Sequence, residues 1–189
     1  MEFINKYKQK PNDIKMTPDE LAKNCIDLTP ISPTDILFDG FRGKGAFFRQ
    51  YPACNKKMYA ELEEDIDFFS NSTPYDWLIS NPPWSKITDI LNLATKQARK
   101  GIGLLIGCLN LTPKRIQILN DAGFNITHLH FATVTGWLGT CVYIVAERNK
   151  PQVISFDRKP FQMPAEEGEI FKEKMRAYSK NYRAEKMSE

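Results

Sequence analysis

Short apolar runs alternate along the chain with stretches whose apolar positions recur at helical spacing. After Thr17-Pro18-Asp19-Glu20, which reads as an N-cap, a first-turn proline and a capping-box acid, Leu21, Cys25 and Leu28 share one face, so a helix is predicted there. Ile36-Leu37-Phe38 is a strand running into Asp39-Gly40, then a glycine-bearing loop and the apolar Ala46-Phe47-Phe48, a strand–loop–helix pattern. KKMYAEL predicts a second strand ending near Glu61. DWLIS predicts a third, stopped by Asn81-Pro82-Pro83. Ile87, Ile90, Leu91, Ala94 and Ala98 predict a helix over 87–99. GIGLLIGCL suits a strand buried on both faces. Lys114 to Asp121 reads as a helix halted by Gly123. ITHLHFATV and TCVYIVAE are closing strands joined by a turn around Gly136 and Gly139.

Strands alternating with helices and then two strands in succession give an α/β, doubly wound, mostly parallel sheet with a hairpin at one edge. Residues 1–16 read as a flexible basic arm carrying Lys6, Lys8, Lys10 and Lys15. Residues 17–150 form the main domain, and 151–189 a charged extension with a helix over about 165–185. At 189 residues, 42% of them hydrophobic, the chain suits one domain with a sizeable core. A net charge of +3 tolerates a nucleic-acid partner without demanding one.

The four cysteines, Cys25, Cys54, Cys108 and Cys141, lack metal-ligand spacing and suggest no disulfide framework. The chain opens without a signal-peptide pattern, and no apolar run would span a bilayer. Those features fit a cytoplasmic protein with no membrane partner. His128 and His130 alternate on a predicted strand without an obvious third ligand, so no metal is expected. Cytosine-C5 chemistry is set aside because no Pro-Cys pair is present, and no G-x-S-x-G hydrolase elbow occurs.

Ligands of open parallel sheets bind at the carboxyl ends of the strands, and three features fall there. In FDGFRGKGAFF, Gly43 and Gly45 allow a tight turn and close approach to a ligand, with Asp39 at the strand end. Glu61 follows some 20 residues later, where an acid accepts from ribose hydroxyls. Asn81-Pro82-Pro83-Trp84 follows the third strand. Its prolines stiffen the backbone, so the Asn81 side chain and the Pro82 carbonyl converge as acceptors beside the flat Trp84 ring. Taken alone, the first two features have plainer readings, a common loop and a solvated acid. Together with the third they point to alkylation of an aromatic amine. Two acceptors that hold the amino hydrogens free the nitrogen lone pair for attack.

FDGFRGKGAFF, the YAEL strand, DFF at 67–69 and YDWLISNPPW together resemble the Rossmann-like amino-methyltransferases of the N6-adenine type, in particular small phage or viral members, over roughly residues 15–147. The resemblance implies a seven-stranded sheet whose last strand is antiparallel, with S-adenosyl-L-methionine as cofactor. Thr17 and Pro18 would contact that cofactor. Asp39, Gly40, Phe41, Gly43 and Gly45 would line its methionine part, Glu61 would bind its ribose, and Asp67 with Phe68 would flank its adenine. Asn81, also against the cofactor, would form the catalytic tetrapeptide with Pro82, Pro83 and Trp84. The implied acceptor is the N6 amino group of adenine in DNA, ahead of RNA, with a glutamine amide of a protein or an inactive cofactor-binding subunit as alternatives. The chain leaves no room for a recognition domain, so a partner subunit or a homo-oligomer would supply target specificity. Two departures stand out. The family often has Pro at the position of Gly40, and Arg42 and Lys44 bring positive charge where small residues are usual.

Overall fold

A computed structural model describes residues 16–53, 55–137, 139–157, 169 and 172–179. The strands are β1 (Ile36–Asp39), β2 (Lys56–Tyr59), β3 (Tyr75–Ser80), β4 (Ala98–Gly107), β5 (Phe124–Thr133) and β6 (Thr140–Arg148). They form one sheet in the order β2-β1-β3-β4-β6-β5. β1 to β4 are mutually parallel, and β6 runs antiparallel to both β4 and β5. The expected hairpin therefore exists, but its second strand sits inside the sheet and its first forms the edge.

Six strands are present among the described residues, not the seven implied by the resemblance. No further strand lies between β2 and β3. Between β2 and β3 the backbone is used by two short 3-10 turns, Leu62–Glu64 and Phe68–Ser70, and a helical crossover with a strand needs more residues than that interval holds.

The helices are α1 (Asp19–Asp27), α2 (Ala46–Gln50), α3 (Ile87–Gln97) and α4 (Pro113–Asp121). Alternate residues of β3 and β4 face opposite layers, as expected of strands buried on both sides. Ala22, Cys25, Leu37, Phe47, Trp77, Ile79 and Leu105 make one core cluster with α1 and α2. Phe38, Leu78, Ile90, Leu91, Leu104, Ile116 and Leu119 make the other with α3 and α4. α3 stops at Gln97, and Ala98 already pairs with Tyr75 as strand, so the helix predicted to 99 is cut short by parallel pairing.

The chain divides into Met1–Phe156, which contains the sheet, and Asp157–Glu189. In the second unit residues 172–179 are helical; the remainder of the expected helix over 165–185, apart from residue 169, lies outside the described residues, as does the arm before Met16. No described helix is long and apolar enough to cross a membrane.

Candidate active site

Because β1 to β4 are parallel, their last residues, Asp39, Tyr59, Ser80 and Gly107, end at one margin of the sheet. The glycine loop leaves that margin from β1. Gly43 (φ +49°) and Gly45 (φ +80°) take left-handed conformations that suit glycine, and Gly45 precedes α2. The loop is strapped to the end of β2: Arg42 N–H donates to the Ala60 carbonyl at 3.0 Å, and Gly43 N–H donates to Glu61 Oε2 at 2.6 Å. Glu61 Oε1 accepts from Glu63 N–H at 3.1 Å. Glu61 thus stands directly beside the loop, just past the strand end, in an isolated antiparallel bridge with Ile66.

The charges on the loop are handled locally. The Arg42 guanidinium lies 4.3 Å from the centre of the Tyr59 ring and pairs with Glu64, which also accepts from the Tyr59 hydroxyl at 3.0 Å. Arg49 pairs with Asp19 at 2.9 Å, and Lys44 stays exposed. Arg42 is therefore engaged by the β2 edge. No sequence signal marks this Arg42–Tyr59–Glu64 cluster, in which Arg42 lies 22 positions before Glu64.

Asp39 is 1% exposed. Its Oδ1 accepts from the Ser80 hydroxyl at 2.6 Å, while Oδ2 has no hydrogen-bond partner. Burial pushes its pKa up to about 7. The Ser80 bond and the backbone N–H groups of Phe41 and Phe48 oppose the rise, and the charge of Glu61 adds to it. Ser80 also accepts from Phe41 N–H at 3.2 Å, so one hydroxyl joins the ends of β1 and β3 to the loop. A serine closing the apolar run WLIS is the one mark of this role in the sequence.

The raised pKa carries a stability prediction. Between the unfolded value near 4 and the folded value of about 7, the native protein holds a proton that the unfolded chain has lost, so stability falls as pH rises through that window. Asp39→Asn should flatten this loss. Urea unfolding at about pH 5 and about pH 8 should show a larger drop for the native chain than for the variant, and equal drops would contradict a buried, protonatable Asp39.

The tetrapeptide leaves β3 at the same margin. Pro82 and Pro83 are buried and lead into a 3-10 turn, Trp84–Lys86, and then α3. Asn81 Nδ2 donates to Thr17 Oγ1 at 3.1 Å, and Trp84 Nε1 donates to Asn81 Oδ1 at 3.3 Å. The Trp84 ring lies on the backbone of Gly107, where an added Cβ would come within 2.8 Å of it. Trp137, from the turn before β6, meets it edge-on at 5.8 Å and 78°.

Thr17 differs from expectation. Pro18, not Thr17, is the N-cap of α1, no side chain caps the helix, and the Thr17 hydroxyl is drawn to Asn81 instead. Pro18 contributes its carbonyl to Ala22 N–H at 3.0 Å.

Two cavities open beside this margin. One of about 170 Å³ is lined by Met16, Thr17, Phe41, Gly43, Lys44 and Asn81, among others. The other, of about 250 Å³, is lined by Phe38, Tyr59, Ala60, Ile66 and Asp67, among others. Asp67 Oδ1 accepts from Phe69 N–H at 3.0 Å. Phe68 is 2% exposed and lines neither cavity, being packed on Phe38 and Phe41. A Cβ on Gly40 would meet its ring at 2.6 Å, so Phe68 fills the room a proline at position 40 would need.

No protein-family model matches the chain, and no curated protein sequence does. Solved structures do match in shape. Magnesium protoporphyrin IX methyltransferase from Synechocystis with bound S-adenosylmethionine aligns with a TM-score of 0.53 and 12% identity, over 69% of this chain and 77% of that one. An RNA methyltransferase from Salinibacter ruber, in complex with S-adenosyl-L-homocysteine, aligns at 0.51 and 13%, over 77% and 100%. The fold is that of the Rossmann-like class I methyltransferases. The E. cuniculi Mtq2–Trm112 complex, responsible for methylation of the eRF1 translation termination factor, shares this methyltransferase fold at 0.53 and 12%, over 73% and 99%. These acceptors are a porphyrin, an RNA and a protein, so the fold does not choose among them.

Proposed function

We propose that the protein is an S-adenosyl-L-methionine-dependent methyltransferase whose acceptor is the N6 amino group of adenine in DNA. The observation that carries this reading is the Asn81 amide. It follows a buried strand, is stiffened by Pro82-Pro83, flanked by the Trp84 ring, and stands on the wall of the cavity beneath the glycine loop.

The residues fit the cofactor. Asp39 Oδ2 is a buried carboxylate oxygen without a partner, suited to a cationic group. Gly43 and Gly45 let a ligand approach the backbone, and Glu61, already turned towards the loop, matches a ribose diol. The cavity holding Asp67 and Tyr59 suits the adenine, and the cavity holding Thr17 and Asn81 suits the methionine part. The bound cofactor supplies a methyl group on a positively charged sulfur.

The chain's own part is to hold and orient the acceptor. The Asn81 oxygen and the Pro82 carbonyl accept the two amino hydrogens. The nitrogen then turns more tetrahedral, and its lone pair leaves conjugation with the ring. These fixed dipoles need no reorganisation during the reaction. Trp84 offers its face to a base swung out of its stack, held upright by Gly107 and Trp137.

The same pair of acceptors would also hold the amide nitrogen of a protein glutamine, which is the second reading. One experiment separates the two. The protein is incubated with labelled cofactor and, in parallel, duplex DNA, single-stranded DNA, RNA and a glutamine-containing peptide, and the products are analysed by mass spectrometry. Labelled N6-methyladenine from DNA is the expected product. Label found only in the peptide, or in no acceptor at all, overturns the proposal.

A further inference from the structure

We infer that Leu109 is a wedge for duplex DNA, its side chain entering the base stack at the place an extruded adenine leaves. The inference rests on the reading of adenine in DNA as the acceptor.

Leu109 is 95% exposed, within the 3-10 turn Cys108–Asn110 that follows β4. A single exposed leucine is ordinary on a protein surface. What sets this one apart is its place and the rigidity of its backbone. Ser80 pairs with Leu104, and β4 continues to Gly107, so the turn overhangs the end of β3, where the Asn81–Trp84 tetrapeptide begins. The two meet at Gly107. A Cβ built there would come within 2.8 Å of the Trp84 ring and 3.1 Å of the Asn110 amide nitrogen, so both side chains lie against this glycine. Leu109, one residue before Asn110, therefore stands on the rim beside the ring that would hold the base.

The turn is held firmly. Arg115 of α4 donates from Nη1 to the Asn110 carbonyl and to Asn110 Oδ1, each at 2.8 Å, and from Nε to Thr88 Oγ1 of α3 at 3.2 Å. Leu111 N–H donates to the Cys108 carbonyl and Thr112 N–H to the Asn110 carbonyl, both at 3.1 Å. One guanidinium thus ties the turn to the helix that follows the tetrapeptide. The backbone keeps the leucine in water, and a partner that covers it gains the hydrophobic free energy left unrealised in the free protein.

Duplex DNA is the occupant this position fits. Extruding a base leaves a flat apolar slot in the stack, and leucine is among the side chains that proteins insert between base steps. From Cys108 to Asn120 the chain carries Lys114 and Arg115 and no acid, and Lys114 is exposed on the first turn of α4, where its charge suits phosphates beside the slot.

The test uses the full chain with Leu109→Ala and Leu109→Met, both tolerable at so exposed a position. Fluorescence anisotropy reads the Kd for a DNA duplex carrying one abasic site, a slot already open, against the same duplex intact. The native chain should prefer the abasic duplex by about tenfold, the scale of burying one leucine. Leu109→Ala should bring the two affinities to within about twofold, and Leu109→Met should keep most of the preference. Methyl transfer by Leu109→Ala should fall about tenfold on duplex DNA and less on single strands of the same sequence. A native chain without the abasic preference, a preference that survives in Leu109→Ala, or an equal loss of transfer on both DNA forms would overturn the inference. So would a smaller particle mass for Leu109→Ala by light scattering, which would assign the leucine to a contact between copies of the chain. Should the native chain methylate no acceptor, the proposed function fails, and the abasic preference still decides whether Leu109 is a wedge.

Discussion

Replacing Asn81 with alanine is expected to lower methyl transfer by about 10²-fold or more, the cost of removing one preorganised group that acts on the transition state, equivalent to roughly 3–4 kcal/mol. The reason is geometric. Pro82 and Pro83 fix the backbone, Trp84 holds the amide oxygen from one side and Thr17 the nitrogen from the other, so nothing else at this margin substitutes for it. The loss should fall on kcat. The Kd for S-adenosyl-L-methionine should change far less, because Glu61, Asp39 and the glycine loop remain in place. Asn81→Asp keeps an acceptor for the Trp84 indole and should retain more activity than alanine. Single-turnover transfer alongside calorimetry checks both points. A fall in affinity that accounts for the whole loss would reassign Asn81 to cofactor binding alone.

The largest stability effect is expected at Trp77, which supports the strands that carry the site. Its side chain is 2% exposed and crosses the backbone of its β4 partner, Gly101. A Cβ there would stand 2.0 Å from the ring. The indole N–H donates to Asp35 Oδ2 at 3.1 Å, and Asp35, 1% exposed, also accepts from Ser32 N–H at 2.9 Å and pairs with Lys100. Trp77→Ala should cost about 3–5 kcal/mol, a large share of the 5–15 kcal/mol typical of a domain. Gly101→Ala should cost about 1–3 kcal/mol or more by overpacking. In the Trp77→Ala background the added methyl has room, so the double variant should lose clearly less than the two single losses combined. Urea unfolding measures all three, and simple additivity would contradict the Trp77–Gly101 packing.

The strand ends were the most legible part of the chain. A buried run such as WLIS halted by Asn-Pro-Pro has one reading at the level of local structure, and ILF followed by Asp-Gly and a glycine loop has nearly the same one. Parallel pairing then brings Asp39, Glu61 and Asn81 to one margin, because in a parallel sheet all the carboxyl ends coincide. What misled was what depends on tertiary competition. Ala98 looks helical by spacing but pairs with Tyr75. Thr17 looks like a cap but finds a better acceptor role in Asn81, 64 positions away. The seventh strand came from the resemblance, and the described residues form six.

Side-chain burial was also beyond local patterns. DFF at 67–69 gives no sign that Phe68 turns inward onto Gly40 while Asp67 faces a cavity. The positive charge of Arg42, which stands where small residues are usual in the family it resembles, is taken up by Tyr59 and Glu64. Such a cluster depends on how β2 lies against the loop, which no spacing rule expresses.

A crystal structure with S-adenosyl-L-homocysteine tests most directly whether Asn81 lies next to the cofactor. The ribose hydroxyls should lie on Glu61, the ligand ammonium group within reach of Asp39 Oδ2, and the sulfur beside the Asn81 amide. A ligand bound with its sulfur on the far side of the glycine loop from Asn81, or away from this margin of the sheet, would contradict it.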